Sequence, residues 1–272
     1  MGCSDVFPLL GKKDPGLLPE NAVLFIDQIR SSGLGLETIL FSISSYLDTL
    51  PSSVKLCETW LSLLGYPDLT VHGPFLDLNP ACFDSLLQEA VLCRFQQAYE
   101  AASALNAKKI IYHSGRYPDI YRDDPGWTEQ MTAFWQRFLD GKNGGIMVCM
   151  ENVLDRDPAP LRSVWERVDR EDFGICLDIG HVHCFSGLSC RDWIRVLGSS
   201  VSHLHLHDNH GSSDQHLALG EGSLPWQEVS ESLLAFCFSD HDRPGLSKSG
   251  YGMTCTVECA AAEALSHSVT QI

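Results

Sequence analysis

Residues 203–222 read HLHLHDNHGSSDQHLALGEG, and five of the chain's eleven histidines and two aspartates fall within the first fourteen positions of this stretch. Imidazole and carboxylate are the side chains that hold divalent cations and move protons near neutral pH, so this density points to a metal centre or to acid–base chemistry. His203, His205 and His207 share one face of a strand and Leu204 and Leu206 the other, because strand side chains alternate with period two. Only one face can point into a barrel. His205, near the strand end, is the ligand candidate. His203, one layer deeper, reads as a hydrogen-bonded core histidine, His207 as either a substrate contact or a solvated side chain, and His210 as exposed. Asp214 and His216 follow a short polar loop that can fold them back over the strand end.

The same residue types recur where other strand-like runs finish. LETILFS (36–42), LTVHGPF (69–75), KIIYHSG (109–115), IMVCMENV (146–153), FGICLDIGHVH (173–183), SHLHLHD (202–208) and MTCTVEC (253–259) predict seven strands, and CSDVFPLL (3–10), with its Pro8, an eighth. From LTVHGPF onward each run is apolar first and then reaches a potential ligand: His72, His113, Glu151, Asp178 with His181, His205, and Glu258. Buried carboxylates and imidazoles cost several kcal/mol unless paired, hydrogen-bonded or metal-bound, so six such endings predict a shared divalent cation.

Helical segments lie between the strands. Leu87, Val91, Phe95, Ala98, Ala102 and Leu105 recur every three or four residues, giving a crossover helix one apolar face. Shorter patterns cover 21–32, 52–64, 127–140, 160–169, 190–197 and 226–238, and DHDRPGLSKSG (240–250) reads as a long loop. Eight alternations in 272 residues, without a Gly-rich phosphate loop after the first strand, predict an α/β fold in which residues 1–272 form a single (β/α)8 TIM barrel domain. Chemistry then belongs at the C-terminal ends of the strands.

Composition bounds the partners. Asp plus Glu number 35 against 19 Lys plus Arg, a formal charge of −16, which repels a phosphate backbone and disfavours duplex DNA. No apolar run reaches the roughly 18 residues of a membrane span, and MGCSDVFPLLGKKDPG does not read as a secretory signal, so a cytoplasmic location is expected. The eleven cysteines include no CxxC pair. Cys149, Cys176, Cys255 and Cys259 lie in or beside apolar runs and are expected to be free thiols.

Taken in order, VHGPF, YHSG, MENV, LDIGH, HLHLHD, DQHLALGEG and TVE resemble the xylose isomerase-like TIM-barrel superfamily over about residues 20–260. This superfamily holds sugar phosphate isomerases and epimerases and the endonuclease IV-type AP endonucleases (AP endonuclease family 2). The endonuclease branch implies one zinc on His72, His113 and Glu151, a second on Glu151, Asp178, His205 and Glu258, and a third on His181, Asp214 and His216. The isomerase branch implies one metal on Glu151, Asp178, His205 and Glu258. There the two glutamates double as acid and base, His181 contacts substrate, and the cation stabilises an enediolate. Nitrogen and oxygen ligands suit Zn²⁺, as one to three ions, and Mn²⁺ fits the most carboxylate-rich position.

The surroundings favour a metal-dependent isomerase or epimerase of a small sugar, sugar phosphate or related hydroxy-ketone over the alternative, a multinuclear zinc phosphoester hydrolase. ISSYLDTLPSS has no Arg or Lys, NVLDRDPAP lacks the Gly-rich stretch of the DNA-cleaving branch, and Phe75 stands where that branch carries a tyrosine. The expected partner is a small carbohydrate or phosphoester. Arg116, after His113, is the first candidate for a substrate phosphate, and Trp226 is read as packing or as a sugar platform. Asn152 and Asp208 are read as partners that orient ligands. Gly220 and Gly222 are expected to allow a tight turn.

Overall fold

Eight short strands can bury both faces only by closing on themselves beneath a ring of helices. The computed structural model, which describes residues 2–3, 20–120, 124–236, 252–258 and 262–270, shows this arrangement. Strands β1 (Gly2–Cys3), β2 (Gly35–Thr38), β3 (Leu69–His72), β4 (Lys109–His113), β5 (Met147–Glu151), β6 (Phe173–Asp178), β7 (Val201–Leu206) and β8 (Thr254–Val257) form a closed barrel in sequence order. Every pairing is parallel, and β1 joins β2 to β8 through Gly2↔Gly35 and Gly2↔Thr256. The expected first strand over 3–10 thus contributes Cys3; its remainder, like the expected loop at 240–250, lies outside the described residues.

Period two sorts the side chains. Ile110, Tyr112, Val148, Met150, Leu204 and Leu206 turn outward into the layer under the helices, while Ile111, Met147, Cys149 and Cys176 form a separate interior cluster. At the barrel floor Lys109 Nζ donates to the carbonyls of Ser202 (2.6 Å) and Gly252 (2.8 Å).

Helices α1 (Glu20–Ser32), α2 (Ser44–Leu47), α3 (Leu50–Leu64), α4 (Ser85–Ala104), α5 (Asp124–Leu139), α6 (Ala159–Val168), α7 (Ile179–Phe185), α8 (Cys190–Leu197), α9 (Trp226–Phe236) and α10 (Ala262–Val269) surround the sheet. Asp84 starts α4 by accepting from the amides of Leu86 and Leu87. Its apolar spacing buries Val91, Phe95, Ala98 and Ala102 as expected, but Leu87, in the first turn, is exposed. Phe95 stacks on Tyr112 with centroids 4.1 Å apart, and the Tyr112 hydroxyl donates to the Phe95 carbonyl at 2.7 Å. Gly73 belongs to the same packing: a Cβ there would lie 2.3 Å from the Tyr112 ring, so only glycine lets the chain leave β3 immediately after His72.

The strands end earlier than the sequence suggests. β2 gives way to a 3-10 turn at Leu40–Ser42, β3 stops at His72, and β6 stops at Asp178, where α7 begins at once. His181 therefore sits in the first turn of a helix and not on a strand, and His207 follows the end of β7. No helix among the described residues is long and apolar enough to cross a membrane.

Candidate metal centre

Glu151, at the tip of β5, is where the expected ligands converge. His72 Nε2 on β3 lies 3.3 Å from its Oε2, His113 Nε2 on β4 lies 3.4 Å from the same atom, and His205 Nδ1 on β7 lies 3.1 Å from Oε1. Oε2 is buried with no hydrogen-bond partner among the described residues, a costly state for a carboxylate oxygen. Ligand atoms around a tetrahedral zinc with bonds of about 2.0–2.1 Å stand about 3.4 Å apart, so the spacing at His72, His113 and Glu151 fits such an ion. Phe75 closes this side, its ring stacked on His113 at 4.3 Å and edge-on to His72 at 5.3 Å.

Asp178 ends β6 and caps α7: its Oδ1 accepts from the His181 amide at 2.7 Å. Asn152 ties this corner to β5, its amide donating to the Asp178 carbonyl (3.0 Å) and accepting from the Asp178 N–H (2.9 Å), while its carbonyl meets His181 Nδ1 at 2.9 Å. These bonds hold Asp178 and His181, two of the metal candidates, against β5. The other His181 nitrogen lies 3.3 Å from Asp214 Oδ2, and His216 Nε2 lies 3.1 Å from the same oxygen. His216 Nδ1 faces Glu258 Oε2 at 3.5 Å, and Glu258 Oε1 lies 3.4 Å from His205 Nδ1. All nine metal candidates from the sequence thus meet at one end of the barrel.

The loop that brings Asp214 and His216 back is held at its base. Asp208 and Leu217 exchange two backbone hydrogen bonds of 2.9 Å, and the Asp208 carboxylate accepts from the amides of Asn209, Gly220 and Leu224. Asp208 therefore braces the loop that carries Asp214 and His216 through backbone amides. Gly222 serves the same turn, since a Cβ there would lie 2.3 Å from Asp208 Oδ1, and Gly220 has φ +87°. His207 is not solvated. It is fully buried, its Nε2 3.1 Å from Asp178 Oδ1 and 3.6 Å from Asp214 Oδ1, its ring stacked on His216 at 4.1 Å and seated on Gly180, where any Cβ would collide with it. His203 is the expected buried core histidine and His210 is exposed.

Arg116 and Trp226 are the two further substrate candidates. Arg116 is buried, with its guanidinium 5.2 Å from the Trp127 ring centroid and 4.0 Å from Asp155. Trp226 packs against the core and lines a surface groove with Arg191, Pro225, Gln227, Glu228 and Glu231, none of them a ligand candidate. Asp155 accepts from the Ser114 hydroxyl at 2.7 Å and the Val153 amide at 3.1 Å, yet burial pushes its carboxyl up to about 6. A carboxyl raised in the folded state stabilises below its unfolded value, near 3.9, and loses that contribution as pH rises through 6. The stability of the wild type relative to Asp155→Asn should therefore fall by roughly 2 kcal/mol between pH 4 and pH 7 in urea titrations. A difference independent of pH would refute the assignment.

The cluster's charges balance through protons. Burial works against the imidazolium forms, but Asp178, Asp214 and Glu151 hold His181 up at about 10, and Asp214 and Glu258 hold His216 at about 9. Burial likewise opposes the charge on Glu151, but His205 and His113 hold it well below the usual carboxylate range, whereas burial leaves Glu258 raised. His113 is driven down to about 3 by burial. These bound protons are the positive charge that a divalent cation would replace. Burial raises the Cys176 thiol, beside His205, well above its ordinary range, and Cys176 with Glu151 and His205 forms a further group that could hold an ion.

One buried acid went unrecognised in the sequence. Glu37, on β2, is fully buried beneath the cluster and meets His205 Nε2 at 3.1 Å, His203 Nε2 at 3.1 Å and Thr256 Oγ1 at 2.6 Å. Its signal was available: a glutamate between Leu36 and Thr38 in a strand buried on both faces needs a partner.

A family model described as a xylose isomerase-like TIM barrel matches residues 41–241, more than half of the chain. An uncharacterized protein of Methanocaldococcus jannaschii is 27% identical over 181 residues, which cover 61% of this chain and 60% of that relative, so the match spans less than two thirds of the relative's length. Among solved structures, a D-tagatose 3-epimerase-like protein superposes with a TM-score of 0.67 at 22% identity, covering 87% of this chain and 85% of its own. A Thermus thermophilus protein soaked with ZnCl2 does so with a TM-score of 0.66 at 23% identity, covering 90% and 91%. At these identities the structural likeness shows the fold. Closed parallel barrel, convergent histidines and carboxylates, and the match over 41–241 agree: the chain belongs to the xylose isomerase-like TIM-barrel family.

Proposed function

We propose that this chain is a divalent-metal-dependent isomerase or epimerase of a small sugar, sugar phosphate or related hydroxy-ketone. The observation that carries the reading is the pairing of Glu151 and Glu258, which come from β5 and β8 to the same nitrogen, His205 Nδ1, at 3.1 and 3.4 Å, with Asp178 Oδ2 at 3.8 Å. Likeness to a D-tagatose 3-epimerase-like protein supports the substrate class, and likeness to a protein soaked with ZnCl2 supports the ion. Glu151, Asp178, His205 and Glu258 would hold a Zn²⁺ or Mn²⁺ ion, which when bound polarises a substrate carbonyl and offsets the charge of the enediolate. One glutamate removes the proton beside the carbonyl and the other delivers a proton to the opposite face. His181, in the first turn of α7, contacts substrate hydroxyls, while Phe75 and His72 wall off the side of β3.

A second reading is kept open by the two further donor groups, His72 with His113 and Glu151, and Asp214 with His181 and His216, which would suit a multinuclear zinc phosphoester hydrolase. Against it stands Arg116, committed to Trp127 and Asp155. Under this second reading His216→Ala should remove about one zinc per chain from protein purified without chelator, and an unchanged metal content would eliminate the third site.

The deciding experiment pairs metal analysis with two assays: a ketose panel in D2O, read by mass spectrometry for deuterium uptake beside the carbonyl, and hydrolysis of phosphodiesters including abasic-site DNA. About one equivalent of metal with exchange supports the isomerase. Hydrolysis without exchange overturns it.

A further inference from the structure

We infer that Glu37 is the positioning residue of the metal centre, fixing His205 so that Nδ1, and not Nε2, presents its lone pair to the ion; this rests on the metal-dependent reading above. A neutral imidazole has one N–H and one lone pair, and a carboxylate can only accept. His205 Nε2 stands 3.1 Å from Glu37 Oε1 and Nδ1 the same 3.1 Å from Glu151 Oε1, so once an ion takes the Glu151 side the single ring proton goes to Nε2, where Glu37 accepts it. That leaves the lone pair at Nδ1, the nitrogen that faces Glu151, Glu258 and Asp178. Ligating histidines commonly lean on a carboxylate in this way, which sets the tautomer, the ring angle and the donor strength.

Glu37 is itself held rigidly. Its Oε2 receives the Thr256 hydroxyl at 2.6 Å and faces His203 Nε2 at 3.1 Å, and His203 is anchored in turn by Thr254 Oγ1 at 2.6 Å. The line from Thr254 through His203 and Glu37 to His205 therefore crosses the barrel from β8 through β7 and β2, one layer below the mouth. Glu37 lies on β2 beneath the His205 ring, which stands between it and the carboxylates at the mouth. A carboxylate so placed acts only through the ring above it.

The test is Co²⁺ affinity by chelator competition, read with the visible d–d spectrum of the bound ion, for the wild type, Glu37→Gln and Thr256→Val. Circular dichroism and the thermal melt of the metal-free proteins serve as measures of folding. Glu37→Gln is expected to weaken Co²⁺ binding roughly 10–100-fold and to change the d–d spectrum. Thr256→Val, which leaves Glu37 and His205 in place but removes one anchor, should weaken it on the order of fivefold. A purely structural role would lower the melt of the metal-free variants and leave affinity and spectrum unchanged. Wild-type affinity in both variants overturns the inference and leaves the proposed function standing, whereas a wild type that binds no Co²⁺ sinks both. Should Glu37→Gln fail to fold, unaltered affinity in Thr256→Val is sufficient to overturn it.

Discussion

Glu258→Gln, assayed at saturating metal on the ketose that the wild type converts, is expected to lower kcat by roughly 10²–10⁴-fold while the far-UV circular dichroism and the melting temperature stay close to the wild type. The size of the loss follows from the role: glutamine can occupy the place and accept a hydrogen bond, but it cannot exchange a proton with a carbon acid. The mildness of the structural effect follows from the geometry. The Glu258 backbone is held by its own amide, which donates to the Leu206 carbonyl at 3.0 Å, and its carboxyl lies beside His205 Nδ1 and His216 Nδ1. Burial already disfavours its charge, so a neutral replacement removes little from the fold. Retained turnover in both Glu258→Gln and Glu151→Gln would refute the acid–base pair.

Stripping the protein with a strong chelator should abolish turnover, and readdition of Zn²⁺ or Mn²⁺ should restore it. The melting temperature should move with the metal, because an ion that binds only the folded chain stabilises it by about 2.7 kcal/mol at a hundred times its dissociation constant. Reloading should release a proton from the cluster, since in the stripped protein burial opposes the charge on His205 but Glu258, Glu37 and Glu151 raise it well above the ordinary imidazole range, and the ion takes the place of the proton on Nδ1. Full activity after verified removal of the metal would overturn the proposed function.

Strand interiors and their polar ends were legible in the sequence because both are carried by period two: Ile110 and Tyr112 outward, Ile111 and His113 inward. The convergence of the candidate side chains on β3 to β8 followed, together with the helices that carry a long apolar stripe. Strand lengths did not, because a run such as FGICLDIGHVH is apolar through the point where Asp178 stops the strand and caps α7. Helices α2 and α7, of four and seven residues, are too short to display a helical period. Burial at the mouth also escaped: His207 has no sequence mark that distinguishes a ring seated on Gly180 from one in water. Glu37 escaped because it lies one layer below the strand tips, where a polar residue ends no apolar run.

Asp178 uses one carboxylate for two purposes, capping the first turn of α7 through the His181 amide and standing among the proposed donors. A substitution there removes an N-cap worth roughly 0.5–2 kcal/mol and a donor in the same stroke. Lost activity at position 178 would consequently be an ambiguous readout, unable to separate a damaged scaffold from a damaged reaction. Interpretable knock-outs in this barrel belong at Glu258, whose side chain holds no backbone in place among the described residues, and comparative mutagenesis across the family inherits the same caution wherever a donor doubles as a cap.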